Sequence, residues 1–205
     1  NSNYFLLNSL LNKNYISKRF LGNLSDNYKK VENNLLKNIS KFNMIITTGG
    51  ASVGDEDHLV KALENNGKIF FWRAAIKPGR PIAVGRIQNT YIVCLPGNPV
   101  SVQLLYAFIV KPLILKLLGA PLLKISAEKL KTNFSMIKKT KRLEWLRVSK
   151  KFINNEYVIV KHPKQGSGMI SSISYSDGIV EIPEHVSSIK KGDTVDYYDF
   201  DKLFS

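Results

Sequence analysis

The chain has 205 residues, 44% of them hydrophobic, which is enough for one large or two ordinary domains with real cores and too apolar for a disordered polymer. Thirty Lys and Arg against sixteen Asp and Glu give a net charge of +14, so an anionic partner is expected. Scattered basic residues, without a stripe interleaved with aromatics, argue against nucleic acid, and a single cysteine, Cys94, excludes a disulfide framework or a thiolate metal cluster.

Taken in chain order, the sequence starts at Asn1-Ser2-Asn3 rather than at a methionine and enters a helical pattern almost at once, with Phe5, Leu6, Leu7, Leu10 and Leu11. It reads as a chain cut inside a domain. A helix from about Asn3 to Asn12 is followed by a strand around Arg19-Phe20-Leu21 and a helix from Asp26 to Lys41, with Ser25 as its cap. The strand Asn43 to Ile46 leads into the loop Thr47-Thr48-Gly49-Gly50-Ala51-Ser52-Val53-Gly54-Asp55-Glu56-Asp57. A helix opening at Asp55 places Leu59, Val60 and Leu63 on one face and stops at Gly67; the strand Lys68 to Ile76 comes next. Pro81 to Ile87 and Thr90 to Leu95 form a hairpin around Gln88-Asn89, and a long helix capped by Asn98, with Pro99 at its first position, ends at Gly119. Alternating strands and helices indicate a parallel sheet covered on both faces.

Beyond residue 123 the helical period gives way to short β-prone runs at Leu143 to Ser149, Glu156 to Lys161, Gly178 to Ile182 and Thr194 to Phe200. The expectation is an α/β domain over 1–119 with a mostly parallel sheet, a linker at Ala120-Pro121, and a small all-β, barrel-like domain over 123–205. The longest apolar run, Leu104 to Leu118, is broken by Lys111, Pro112 and Lys116 and falls short of a bilayer span, and no signal peptide is present, so a cytoplasmic protein without a membrane partner is expected.

Three loops at the carboxyl ends of strands carry chemistry. The Gly49-Gly50 loop lets the backbone approach an anion at a helix start, and Asp55 or Asp57 could hold Mg²⁺ against a phosphate. In Ala75-Ile76-Lys77-Pro78-Gly79-Arg80-Pro81, two cations on a turn stiffened by prolines make a clamp for a doubly charged oxyanion. Leu95-Pro96-Gly97-Asn98-Pro99-Val100-Ser101 is another strand-to-helix turn with free amides. Each segment alone also describes an ordinary capped turn. Their order and spacing do not.

Together with Asn1-Ser2-Asn3, these segments closely resemble the molybdopterin molybdenumtransferases, the MoeA and gephyrin E-domain family. The likeness continues through Arg142-Leu143-Glu144-Trp145-Leu146-Arg147, Gln165-Gly166-Ser167-Gly168, Ser171-Ser172 and Lys191-Gly192-Asp193-Thr194-Val195, and so covers the whole chain. It implies a MogA-like three-layer domain followed by the family's C-terminal β domain. It also implies a Mg²⁺-dependent enzyme that takes molybdate and adenylylated molybdopterin as substrates, releases AMP and works as a homodimer.

Carried over by position, Asp57, Lys77 and Arg73 match catalytic residues, with Arg73 standing where the family has lysine. An Arg keeps the charge but cannot titrate. The pterin-phosphate side would comprise Gly49, Gly50, Ser52, Pro96, Gly97, Asn98, Pro99 and the opening Asn1, Ser2 and Asn3. Lys77, Arg80, Pro81, Arg147 and Ser167 match molybdate-binding positions, and Asp57 and Asp26 match metal positions. The family's first strand of this domain, with its acidic loop, is expected just upstream of Asn1, and further N-terminal domains complete the enzyme. Alternative functions are a MogA-type adenylyltransferase, which needs neither the Lys77-Arg80 turn nor the β domain, and a gephyrin-like scaffold.

Overall fold

The structure, a computed structural model, describes residues 2–49, 57–121 and 125–205. Contacts divide the chain into two units, residues 1–74 with 79–121 and residues 75–78 with 122–205.

The first unit opens with α1 (Ser2–Leu10). Residues 19–21, expected as a strand, have no ladder partner and form no strand. Helix α2 (Tyr28–Asn38) is capped by Asn27 rather than Ser25: Asn27 is extended and its Oδ1 accepts from the Lys30 amide at 3.1 Å. A 3₁₀ turn, Ile39–Lys41, leads into β1 (Met44–Thr48). Helix α3 (His58–Asn66) is capped by Asp57, so its described start is later than the expected Asp55. Strand β2 (Lys68–Trp72) stops short of the expected Ile76 because Arg73 takes φ 64°, outside the strand region. The chain then contributes β3 (Ile76–Lys77) to the second unit and returns for the hairpin β4 (Ala83–Ile87) and β5 (Thr90–Leu95).

The sheet order is β1-β5-β4-β2, with β1 and β5 parallel and the other pairs antiparallel. A 19-residue helical stretch follows, made of α4 (Pro99–Leu105), a π-helical stretch (Tyr106–Val110) and α5 (Lys111–Leu117). Pro112 has no N–H to donate one turn back, and the helix widens just before it. Its length and hydropathy would suffice for a membrane span, but Val100, Val102, Leu104, Leu105, Ala107 and Val110 are buried in this unit. The core between α2, α3 and the sheet holds Val31, Leu35, Ile45, Val60, Leu63 and Ile92.

β1 is an edge strand. Tyr91 N donates to Asn43 O and Gly49 N donates to Leu95 O, so the alternation turns Ile45 and Thr47 toward β5 and leaves the amides of Met44, Ile46 and Thr48 facing away from it. Beside that edge lies a cavity of about 1200 Å³ bounded by α1, α5 and residues 15–26.

In the second unit, β6 (Glu128–Thr132), β8 (Leu143–Ile153), β9 (Glu156–Lys161), β10 (Gly178–Ile182) and β12 (Thr194–Asp199) close into a barrel: the order β10-β12-β6-β9-β8 returns to β10 by a β8–β10 pairing. A closed barrel has no edge to protect. Strand β7 (Met136–Ile137) pairs with β11 (Ser188–Ile189), and the helices are α6 (Ser171–Ser174) and α7 (Phe200–Phe204). Leu130, Leu146, Val148, Ile159, Val180, Ile182 and Val195 fill the interior. An α/β unit followed by a β-barrel is the fold class expected from the sequence, with the difference that only β1/β5 is parallel, because the β4/β5 hairpin and β2 add antiparallel pairs to the expected mostly parallel sheet.

Candidate functional site

In the first unit the parallel pair β1/β5 brings its two carboxyl ends together, with Thr48 opposite Leu95. Gly49 leaves β1 at φ 78°, a conformation that favours glycine, and its amide donates to Leu95 O at 3.1 Å. Gly97 leaves β5 so close to it that a Cβ on Gly97 would stand 3.6 Å from Gly49 Cα. Asn3 reaches in from α1: it is buried, its Nδ2 donates to Gly97 O at 2.9 Å, and its Oδ1 has no partner. Asn98 Oδ1 accepts from the amides of Val100 and Ser101, so Pro99 starts α4 as expected, preceded by Pro96. Ser2 is exposed at the start of α1. Gly50, Ser52 and Asn1 lie outside the described residues.

Asp57 is 7% exposed. Its Oδ1 accepts from the Val60 amide at 3.1 Å as the cap of α3, and its Oδ2 is buried without a partner. Burial pushes its carboxyl above the usual range, while hydrogen bonds from the Val60 and Leu59 amides and the charges of His58 and Arg73 pull the other way. Arg73 stacks on the Trp72 ring at 4.4 Å. Asp26 meets His58 Nε2 at 3.5 Å with its carboxylate 99% exposed. Among the described residues no three His, Cys, Asp or Glu side chains gather as a metal cluster. A Mg²⁺ ion fits this donor set because it keeps several waters and binds through one or two carboxylates plus substrate phosphate, and the orphaned Asp57 Oδ2 is such a donor. Cys94 is fully buried, which pushes its thiol up to about 12, and Asp57's charge adds to the rise. It is no nucleophile at neutral pH.

In the second unit, β3 runs parallel to β8 with Lys77 opposite Glu144, and Lys77 Nζ reaches Glu144 Oε1 and Oε2 at 3.4 and 3.3 Å. Arg147 follows on β8. It is 1% exposed, and its donors meet only neutral acceptors: Nε to Ser172 Oγ at 3.1 Å, and the guanidinium ends to Trp145 O and Gly166 O at 3.4 and 3.3 Å. Burial pulls it down to about 10, still cationic at pH 7. No carboxylate pairs with it among the described residues. Gln165 grips the same position, its Oε1 accepting from Arg147 N and its Nε2 donating to Arg147 O. That clasp fixes the Gln165-Gly166-Ser167-Gly168 loop against the cation, with Ser167 exposed beside Gly166.

Alternation along β8 turns Glu144 with Leu146 and Val148 to one side and Trp145 with Arg147 to the other. Lys77 and Arg147 therefore have separate partners. Arg80 and Pro81 belong to the first unit, where Arg80 O accepts from Ala74 N at 3.0 Å and the Arg80 side chain is exposed. Ser172 and Glu144 were part of recognisable motifs but carried no assigned role. Only the fold shows what they hold.

Residues 1–116 match the family described as "Probable molybdopterin binding domain", and residues 129–200 match the MoeA C-terminal region, domain IV. The chain belongs to this family and carries its molybdopterin-binding domain followed by the MoeA C-terminal region. A molybdopterin molybdenumtransferase of Haemophilus influenzae is 33% identical over 98% of this chain and 50% of its own length. One of Staphylococcus epidermidis is 28% identical over 83% of this chain and 41% of its length. The crystal structure of the molybdopterin biosynthesis MoeA protein from Pyrococcus horikosii superposes with a TM-score of 0.77 at 27% identity, covering 97% of this chain and 47% of that one. The chain thus spans about half the length of the curated relatives it matches, and is placed in molybdenum cofactor biosynthesis.

Proposed function

We propose that the protein containing this chain inserts molybdate into adenylylated molybdopterin, with Mg²⁺-dependent release of AMP. The observation that carries the reading is Arg147, a guanidinium 1% exposed and, among the described residues, held only by neutral acceptors beside the Gly166 turn. A buried cation without a counter-ion is unfavourable until an anion neutralises it. A tetrahedral oxyanion with Arg147 on one side and the Ser167 hydroxyl on the other suits that position. The resemblance also carries Lys77, Arg80 and Pro81 over as molybdate positions.

The phosphoanhydride is assigned to the Gly49 and Gly97 turns at the α4 N-terminus, whose dipole end suits phosphate, with Gly50 and Ser52 carried over from the family. Asp57 Oδ2 would hold the metal, with Asp26 as the further carboxylate carried over from the family. Mg²⁺ there would neutralise charge on the phosphate oxygens as the bond to AMP breaks. Arg73 supplies fixed positive charge near Asp57, consistent with its pull on that carboxyl. A guanidinium in place of an amine keeps its charge, so the role assigned to Arg73 is to stabilise charge. We further propose a homodimer, on the family resemblance, and a cytoplasmic location, on the single cysteine.

The test is calorimetric titration of the 205-residue chain with sodium molybdate. Wild type binds, and Arg147→Ala loses binding while keeping its far-ultraviolet dichroism. Equal affinity in the two proteins would overturn the assignment.

A further inference from the structure

Glu144 has no part in the roles above, yet it is the most deeply buried carboxylate described in the second unit. Its side chain is 6% exposed, and it faces the same side of β8 as the core residues Leu146 and Val148. Both oxygens are directed at one group, the Lys77 ammonium. A carboxylate in that position is strongly disfavoured unless a cation and hydrogen bonds satisfy it.

Lys77 reaches Glu144 by an unusual route. The chain leaves the first unit after Ala74, adds the two-residue strand β3 to the barrel sheet, and returns at Gly79. Leu143 N donates to Ala75 O at 2.9 Å and sets the register that puts Lys77 opposite Glu144. The Lys77 side chain is 54% exposed, so the ammonium has the carboxylate on one side and solvent on the other. An ammonium has three N–H groups, and Glu144 Oε1 and Oε2, at 3.4 and 3.3 Å, engage at most two of them. A lysine on a flexible four-carbon stem normally loses rotamer freedom when it grips an anion, and a stem already anchored loses less.

We propose that Glu144 is the positioning residue for Lys77, holding its ammonium at the end of the barrel with one N–H free for a tetrahedral oxyanion. The inference rests on the oxyanion reading given above. Glu144 touches no substrate and acts through Lys77.

A double-mutant cycle tests it, with molybdate titrated into the 205-residue chain and into Glu144→Ala, Glu144→Gln, Lys77→Ala and Lys77→Ala/Glu144→Ala. Glu144→Ala weakens molybdate binding about tenfold, the scale of one charge-assisted hydrogen bond, and has no further effect once Lys77 is alanine. A structural role alone would weaken binding equally in both backgrounds and would overturn the proposal, as would unchanged binding in both Glu144→Ala and Glu144→Gln. Nitrogen-15 relaxation of the Lys77 ammonium supplies a second readout. A restrained ammonium in wild type that becomes mobile in Glu144→Gln supports the proposal; a mobile one in wild type overturns it. Should wild type not bind molybdate at all, the oxyanion reading fails, while the relaxation experiment still decides whether Glu144 holds Lys77.

Discussion

Arg147 Nε donates to Ser172 Oγ at 3.1 Å, and the same hydroxyl donates to Met169 O at 2.6 Å. One buried serine thus links a barrel-strand cation to the turn that follows the Gly166 loop. Replacing Ser172 with alanine leaves the Arg147 Nε–H unsatisfied in a buried place. The expected cost is about 1–3 kcal/mol of unfolding free energy, measured by urea denaturation. Weaker molybdate binding should accompany it. Unchanged stability would mean that Ser172 does not hold Arg147.

Asp57 combines a structural and a chemical role on its two oxygens, which makes them separable. Asn caps helices as well as Asp does, so Asp57→Asn should keep α3 intact with little change in Tm, whereas Asp57→Ala should lose about 1 kcal/mol. Both should lose Mg²⁺-dependent turnover in the full-length protein. An Asp57→Asn enzyme of normal activity would remove Asp57 from the metal.

Burial raises the Tyr106 phenol to about 12 and raises Tyr197 as well, with the charges of Asp199 and Asp177 adding to the latter. Tyr106 also donates to Leu10 O at 2.8 Å. A group whose folded pKa lies above its unfolded value gives stability that is present below about pH 10 and lost as pH climbs toward the folded value. The protein should therefore destabilise between about pH 10 and 12. Phenolate absorbance at 295 nm should show part of the tyrosine signal appearing only with unfolding, and Tyr106→Phe should lessen the loss.

The free edge of β1 makes a local prediction. Amides of Ile45 and Thr47, turned toward β5, should exchange slowly with deuterium, and those of Met44, Ile46 and Thr48 quickly. Equal protection of both sets in the 205-residue chain would show that the edge is already covered.

What the sequence made legible was local chemistry. Asn98 and Pro99 announce the start of α4 because capping and fixed φ act within a few residues, and the turns at Gly49 and Gly97 stand out because glycine permits the close approach seen between them. Distance in sequence hid the rest. Lys77 looked like half of a clamp with Arg80, but its ionic partner is Glu144, 67 residues on, and no spacing rule connects them. The sequence pattern carries the strand after α3 on to Ile76, since nothing in Phe71-Trp72-Arg73 signals that Arg73 takes a positive φ. At the start of α2, Ser25 and Asn27 are both good caps by residue type, and only the extended backbone of Asn27 decides between them. Strand β6, Glu-Lys-Leu-Lys-Thr, escaped notice because it buries only Leu130 and Thr132.

AMP release is the most direct readout of molybdate insertion coupled to loss of AMP. The full-length protein, incubated with adenylylated molybdopterin, should release AMP only when both molybdate and Mg²⁺ are present, and Arg147→Ala should abolish the molybdate dependence. AMP release that is indifferent to molybdate, or none under any of these conditions, would contradict the account.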